Sequence, residues 1–173
     1  MDTIECMRSR RSVREFRPDD VPEAVITEIL EAAINAPSAG NVQDWEFVVV
    51  RDMVKRRQLA AAAWGQDFIA AAPVIIVVCS DLRAISGAYG ERGSSLYSIQ
   101  NAAAATENIL LAACAKGLGT CWIGAFDEEM VRNVLGMPLK VRPLAIVPVG
   151  YPAKPGRKPE RRKLEKVVHR DGY

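Results

Sequence analysis

Four arginines and two hydroxyls fall within seven residues near the amino terminus, Arg8-Ser9-Arg10-Arg11-Ser12-Val13-Arg14. Side chains of an extended segment alternate sides, so Arg10, Ser12 and Arg14 share one face while Arg11 and Val13 take the other. A face offering guanidinium, hydroxyl and guanidinium suits a phosphate monoester, which accepts several charge-assisted hydrogen bonds at once. The same run would also serve as a solvated basic surface. Further along, Ala36-Pro37-Ser38-Ala39-Gly40-Asn41 combines small side chains with accessible backbone donors. That composition suits close approach by a planar ligand, and equally an ordinary connector. Near the carboxyl terminus, Arg161-Arg162-Lys163 is a second basic cluster, either another anion-binding group or a solvated run.

Other chemistries lack their residues. Gly117-Leu118-Gly119 opens like a dinucleotide fingerprint, but the next glycine is Gly124 and the run follows a helix and precedes a strand. The fingerprint needs the reverse order, so a helix-ending turn is expected. There is no GxxxxGK[ST] and no GxSxG, and a single histidine, His169, leaves little for a Ser-His-Asp arrangement. Cys6, Cys79, Cys114 and Cys121 are scattered without a CxxC pair, so free thiols in apolar surroundings are expected and no metal site is read.

The elements that must position these groups follow from hydrophobic spacing. Pro22 opens a helix with Asp20 as its N-cap, and Ile26, Ile29, Leu30, Ala33 and Ile34 recur at helical spacing until Pro37. Trp45 to Val50 reads as a strand and Lys55 to Ala63 as a helix. Pro73-Val74-Ile75-Ile76-Val77-Val78-Cys79 is β-branched and uncharged, the pattern of a strand buried on both faces. Residues 86 to 95, rich in glycine and serine, read as a mobile stretch. A long alanine-rich helix from Leu96 to Lys116 ends at Gly117. Being apolar almost all round, it demands burial, and a second subunit is a natural cover. Thr120 to Gly124, Asp127 to Leu135 and Pro143 to Gly150 then read as strand, helix and strand, so the class is α/β or α+β.

A chain of 173 residues with 49% hydrophobic and 25% charged residues suits one soluble globular domain. The formal net charge is only +2, which argues against nucleic-acid binding as the main role, and 6% aromatics argue against a base-stacking platform. No signal peptide or spanning segment is read, so a cytoplasmic location without membrane attachment is expected. Charge is unevenly placed: residues 154–173 hold eight basic and three acidic side chains, a local net of +5. That tail also carries Leu164, Val167 and Val168, an apolar trio expected of a segment that docks.

In combination these segments resemble the FMN-dependent nitroreductase family. The resemblance is carried by Arg10-Arg11-Ser12-Val13-Arg14-Glu15-Phe16, by the stretch from Ala36 through Asn41-Val42-Gln43-Asp44-Trp45-Glu46-Phe47, by Gly117 through Gly124-Ala125-Phe126, and by Gly150-Tyr151-Pro152 with the basic tail. It runs from about residue 8 to residue 170. It implies an α+β fold with a mixed, mostly antiparallel sheet flanked by helices. It further implies one FMN-binding domain over residues 1–173, and a domain-swapped homodimer whose tail, residues 154–173, wraps onto the partner. FMN would lie at the subunit interface, with Arg10, Arg11 and Ser12 on its phosphate and ribityl chain and Arg14 near the N1–C2=O edge. Pro37, Ser38 and Asn41 of the other subunit would line the ring, Gln66 would meet its pyrimidine end, and Ile123 and Gly124 would lie near N5 and O4. Arg161 or Arg162 would close the phosphate site. The implied activity passes a hydride from NADH or NADPH through flavin N5 to a nitroaromatic, quinone or similar electron-poor small-molecule acceptor by a ping-pong mechanism. No side chain need act as acid or base.

The chain departs from the family pattern at two positions, with Asp44 where proline is frequent and Asn101 where aspartate is frequent. It is also short, leaving Tyr89 to Tyr97 as the candidate lid. A storage or sensor dimer that binds flavin without turnover, a specialised dehydrogenase or dehalogenase of the same fold, and a nucleic-acid binder using both arginine clusters are the rival readings.

Overall fold

The computed structural model describes residues 2–173. Its centre is a four-stranded sheet in the order β1-β2-β4-β3, formed by β1 (Trp45–Val50), β2 (Val74–Asp81), β4 (Val141–Gly150) and β3 (Gly119–Thr120). Every named pairing is antiparallel, with a register shift between β2 and β4 at Val78/Cys79. Among the described residues the one parallel contact is an isolated bridge from Ser12 to Thr120. Helices cover both faces, as expected of an α+β architecture with a mostly antiparallel sheet.

The uncharged run in β2 explains this layering. Val74, Ile76 and Val78 enter one apolar cluster, with α2 (Glu23–Ala33) and α6 (Ser98–Ala115). Ile75, Val77 and Cys79 enter a second, with α3 (Met53–Ala62), α4 (Phe68–Ala71) and α7 (Glu128–Leu135). All six side chains are fully buried. Each of the aliphatic ones contributes about 1.5–3 kcal/mol relative to exposure. A charge on either face would strand an unpaired ion in one of the two layers. Most helix ends fall where expected: α7 starts at the Asp127 N-cap, whose carboxylate accepts from Met130 N at 2.9 Å. The turn after α6 puts Gly117 at φ +74°, the left-handed conformation that ends the helix.

Two expectations are corrected. Asp20 does not cap α2. Its carboxylate accepts from Val21 N and from Arg51 Nη1 at 2.7 Å, bracing the helix entrance against β1, and Pro22 holds the cap position without a side-chain bond. Residues 86 to 95 are not a loose loop but form α5 (Leu82–Arg92) and a π-turn over Gly93–Tyr97. Asp81 caps α5 by accepting from Arg83 N and Ala84 N. Gly93 packs so tightly on the Ile85 carbonyl that no side chain fits there. Of the glycines that suggested mobility, Gly93 marks this close approach and Gly90, at φ +57°, kinks α5. Within one chain α6 is covered at Asn101, Ala102, Ala105, Thr106, Ile109, Leu110 and Ala113, whereas Ile99 is 44% exposed.

Candidate functional site

The basic amino-terminal run sits where α1 (Thr3–Ser9) gives way to an extended segment. Arg10 N–H bonds the Cys6 carbonyl at 2.8 Å and ends the helix. Val13 N–H then donates to the Thr120 carbonyl at 2.8 Å, fixing residues 12 and 13 against β3. On its other side the segment meets the chain leaving β4. Arg17 N–H donates to the Tyr151 carbonyl, Ala153 N–H donates to the Glu15 carbonyl, and Phe16 bridges Pro152. Lys154 Nζ lies 2.8 Å from Glu15 Oε2, and that hydrogen bond holds its ammonium above the usual lysine range. Gly156 next crosses Ser12, and a Cβ there would collide with the Ser12 carbonyl oxygen. Only glycine lets the tail pass this close, and the passage turns the following residues back over the amino-terminal arginines.

The result is a cavity of about 580 Å³ lined by Met7, Arg8, Arg10, Arg11, Ser12, Arg14, Arg157, Lys158, Pro159 and Arg161. Seven of these ten residues are cationic and none is acidic. The nearest counter-charge is Glu107 of α6, whose Oε1 is 3.5 Å from Arg10 Nε. The Nε of Arg11 is buried without a hydrogen-bond partner, and the equally buried Nε of Arg10 has only that 3.5 Å ion pair and no hydrogen bond. A buried donor without an acceptor is costly, and converging guanidinium groups repel one another. Both penalties are relieved by one kind of occupant, an anion with several acceptor oxygens, so the residues present fit the phosphate of FMN.

Arg14 lies farther along the segment, its guanidinium 5.7 Å from the centre of the Phe68 ring. The Cys121 thiol is nearby. Burial pushes its pKa up, while the Arg14 charge, a hydrogen bond with Ser12 and the Arg10 charge pull the other way.

The matching protein-family model is the nitroreductase family, over residues 7–66 and 54–151. A protein named NADH dehydrogenase from Thermus thermophilus is 39% identical, over 97% of this chain and 95% of its own. A Bacillus subtilis protein named FMN reductase (NADPH) is 31% identical, over 99% of this chain and 74% of its own. Among solved structures, a putative NADH dehydrogenase/NAD(P)H nitroreductase from Bacteroides thetaiotaomicron superposes with a TM-score of 0.86 at 34% identity, covering 99% of this chain and 98% of that one. NfrA2 from B. megaterium gives 0.92 at 27% identity, covering 100% of this chain and 76% of that one. The chain belongs to the nitroreductase family. It is an oxidoreductase.

In this nitroreductase-family chain the sequence-derived residues fall into separate groups. Arg10, Arg11, Ser12, Arg14 and Arg161 meet at the cavity. Arg11 was expected on the opposite face; because the chain is still leaving α1 there, strict alternation has not begun and it joins the others. Arg162 is turned away, its Nη2 donating to the Lys166 carbonyl at 2.9 Å. Gln66 closes the turn after α3 by donating to the Ala63 carbonyl at 3.0 Å. Ile123 is buried and paired with Ile146, and nothing lies within 4 Å of where a Gly124 Cβ would be. Pro37, Ser38 and Asn41 belong to the loop between α2 and β1 and do not border the cavity. Arg8, Arg157 and Lys158 border it without having been singled out. Their signal was the basic run itself and the cationic residues directly after Gly156. Among the described residues no cluster of His, Cys, Asp and Glu could hold a metal ion, and no helix is long and apolar enough to cross a membrane.

Proposed function

We propose that the protein is an FMN-dependent oxidoreductase that draws on NADH or NADPH and reduces nitroaromatic, quinone-like or similar electron-poor acceptors, the two substrates reacting in turn. The observation that carries this reading is the buried, unpartnered Nε–H donor of Arg11, beside an Arg10 Nε held only by the Glu107 ion pair, in a cavity bordered by seven cations. Bound FMN supplies the hydride-carrying chemistry, for which the side chains offer no substitute. The chain's own residues bind and orient. Arg10, Arg11, Ser12 and Arg161 hold the phosphate, Arg14 supplies positive charge for the pyrimidine edge of the ring, and Gln66, Ile123 and Gly124 line it. With no Cβ, Gly124 leaves its backbone groups accessible.

Two copies complete each site in this reading, which takes residues 1–173 as one domain. Pro37, Ser38 and Asn41 of one copy line the ring held by the other. The tail does not leave its own chain at residue 154 as expected: Lys154, Gly156 and residues 157–161 pack against the amino-terminal segment of the same chain, so only the stretch beyond them, with Leu164, Val167 and Val168, lies across the partner. Three features support the pairing. The loop carrying those three residues lies away from the cavity in its own chain. The apolar tail residues Leu164, Val167 and Val168 are 73%, 45% and 45% exposed. Ile99 opens an uncovered face on α6.

The test is the visible absorption spectrum of the purified protein, followed by denaturation and identification of any released flavin. FMN bands, FMN on release, and acceptor-dependent oxidation of NADH or NADPH with parallel double-reciprocal lines are expected. A colourless protein that takes up no added FMN overturns the reading. Intersecting lines overturn the alternating order of substrates.

A further inference from the structure

The loop between α2 and β1 holds an unusual backbone. Gly40, Asn41 and Gln43 have φ of +55°, +57° and +53°, and two of these are not glycine. Such conformations persist only where the surroundings over-determine them. Within the loop, Asn41 N–H and Val42 N–H bond the Ser38 and Ala39 carbonyls, and Gln43 N–H bonds Ser38 Oγ at 3.0 Å. The anchor from outside is a buried polar group. Asn101 of α6, 4% exposed, accepts from Ala39 N–H through Oδ1 at 3.0 Å and donates through Nδ2 to Asp44 Oδ1 at 2.5 Å. Ser80 Oγ of β2 donates to Asp44 Oδ2, and the Asp44 carbonyl accepts from Asp81 N–H at 2.7 Å. Asp44 is 3% exposed and Ser80 fully buried, with Ala36, Trp45 and Ala105 packed into one apolar cluster alongside.

We propose that Asn101 is a positioning residue of the flavin site, its carboxamide coupling the buried Asp44 carboxylate to the loop backbone so that residues 38–43 are held in shape before ligand binds. The inference rests on the reading that this loop lines the FMN ring. The chemistry of the group is directional. The Asn101 amide must accept from the loop and donate to the acid at once, a division of roles that alanine does not reproduce and that a carboxyl at 101 reproduces only by taking up a proton. Exchanging both residues restores every bond. Ala39 N–H then donates to the carboxylate at 101, the amide at 44 donates to that carboxylate, and Ser80 donates to the amide oxygen at 44. Asp44 and Asn101 are the two departures from the family pattern, and the structure joins them in one hydrogen bond.

The experiment uses the full-length chain and two readouts. FMN release after dilution is followed by flavin fluorescence, and amide hydrogen exchange over residues 39–43 is measured without flavin. Asn101→Ala is expected to speed release about tenfold and to raise exchange at Ala39, as loss of a buried hydrogen bond requires. Asn108→Ala is the control. It removes a comparable tether from the same helix, Nδ2 to the Ala32 carbonyl at 3.0 Å, and should leave both readouts near wild type. The double exchange Asp44→Asn with Asn101→Asp should return release to within about threefold of wild type. The proposal is overturned by wild-type release from Asn101→Ala, by an equal effect of Asn108→Ala, or by a double exchange no better than Asn101→Ala. A wild-type chain that binds no FMN overturns the underlying functional reading instead. Faster exchange with unchanged release places the loop off the flavin.

Discussion

Replacing Arg11 by methionine should move ligand binding and stability in opposite directions. The Arg11 Nε is buried and has no acceptor, and six other cations line the same cavity. In the flavin-free protein, Arg11 therefore contributes a desolvated donor and a repulsive charge, while its aliphatic stem packs as a methionine would. Removing the donor and the charge should stabilise the flavin-free chain by about 1 kcal/mol, the low end for an unsatisfied group because the side chain is only partly buried. For a chain of this size that raises Tm by about 2–4 °C. With FMN present the same substitution deletes a charge-assisted hydrogen bond to the phosphate, worth about 1.5–3 kcal/mol, so Kd should rise about 10- to 150-fold. The assays are thermal denaturation of the flavin-free chain and a fluorescence titration with FMN at fixed ionic strength. A Tm that falls while FMN affinity stays within about twofold of wild type would refute the reasoning, because Arg11 would then be a structural residue.

Three further outcomes are expected. Arg161→Ala should weaken FMN binding about tenfold, whereas Arg162→Ala should leave it near wild type, since the Arg162 guanidinium is engaged by the Lys166 carbonyl. Equal effects in the titration would contradict that division. Gly156→Ala should lower FMN affinity with little change in Tm, because the methyl meets the Ser12 carbonyl, held against β3, and the exposed tail must give way with Arg157 and Arg161; affinity equal to wild type counts against the tail's role. Burial pushes the Cys79 thiol up from 9.0 to about 12. The folded chain therefore keeps a proton that the unfolded chain sheds above pH 9, so stability present in full below that pH falls by about 1.4 kcal/mol per unit above it. Denaturant midpoints of Cys79→Ala should fall less steeply between pH 9 and 11, and parallel slopes for the two proteins would show that Cys79 is not the source.

Features set by neighbours in sequence were legible before any coordinates. The uncharged β-branched run of β2 requires two covered faces, which α2 with α6 on one side and α3, α4 and α7 on the other provide. Asp127 ahead of Glu128-Glu129 is a local capping signal, and the structure uses it as such. The spacing of Arg10, Ser12 and Arg14 already described an anion-binding face, and all three border the cavity. Asp20 misled because the local signal was sound and a distant partner competed for it. Arg51, thirty-one residues away, took the carboxylate.

What the tertiary structure decided depends on contacts across long stretches of chain. The glycines of residues 86–95 look alike in sequence, yet only the packing of Gly93 on the Ile85 carbonyl shows that this segment is folded tightly. Nothing local tells Arg161 from Arg162 or marks Arg157 and Lys158, because their placement follows from Gly156 crossing Ser12. The same holds for Asp44 and Asn101, separated by fifty-seven positions and joined by one hydrogen bond. Residue types and periodicity fixed the layers, the strand interiors and the chemistry available, because they depend on side-chain character and spacing alone. Which charges converge, which buried donors await an acceptor and which loop is held in a strained shape were decided by the fold, since desolvation and hydrogen bonding depend on what the chain brings alongside.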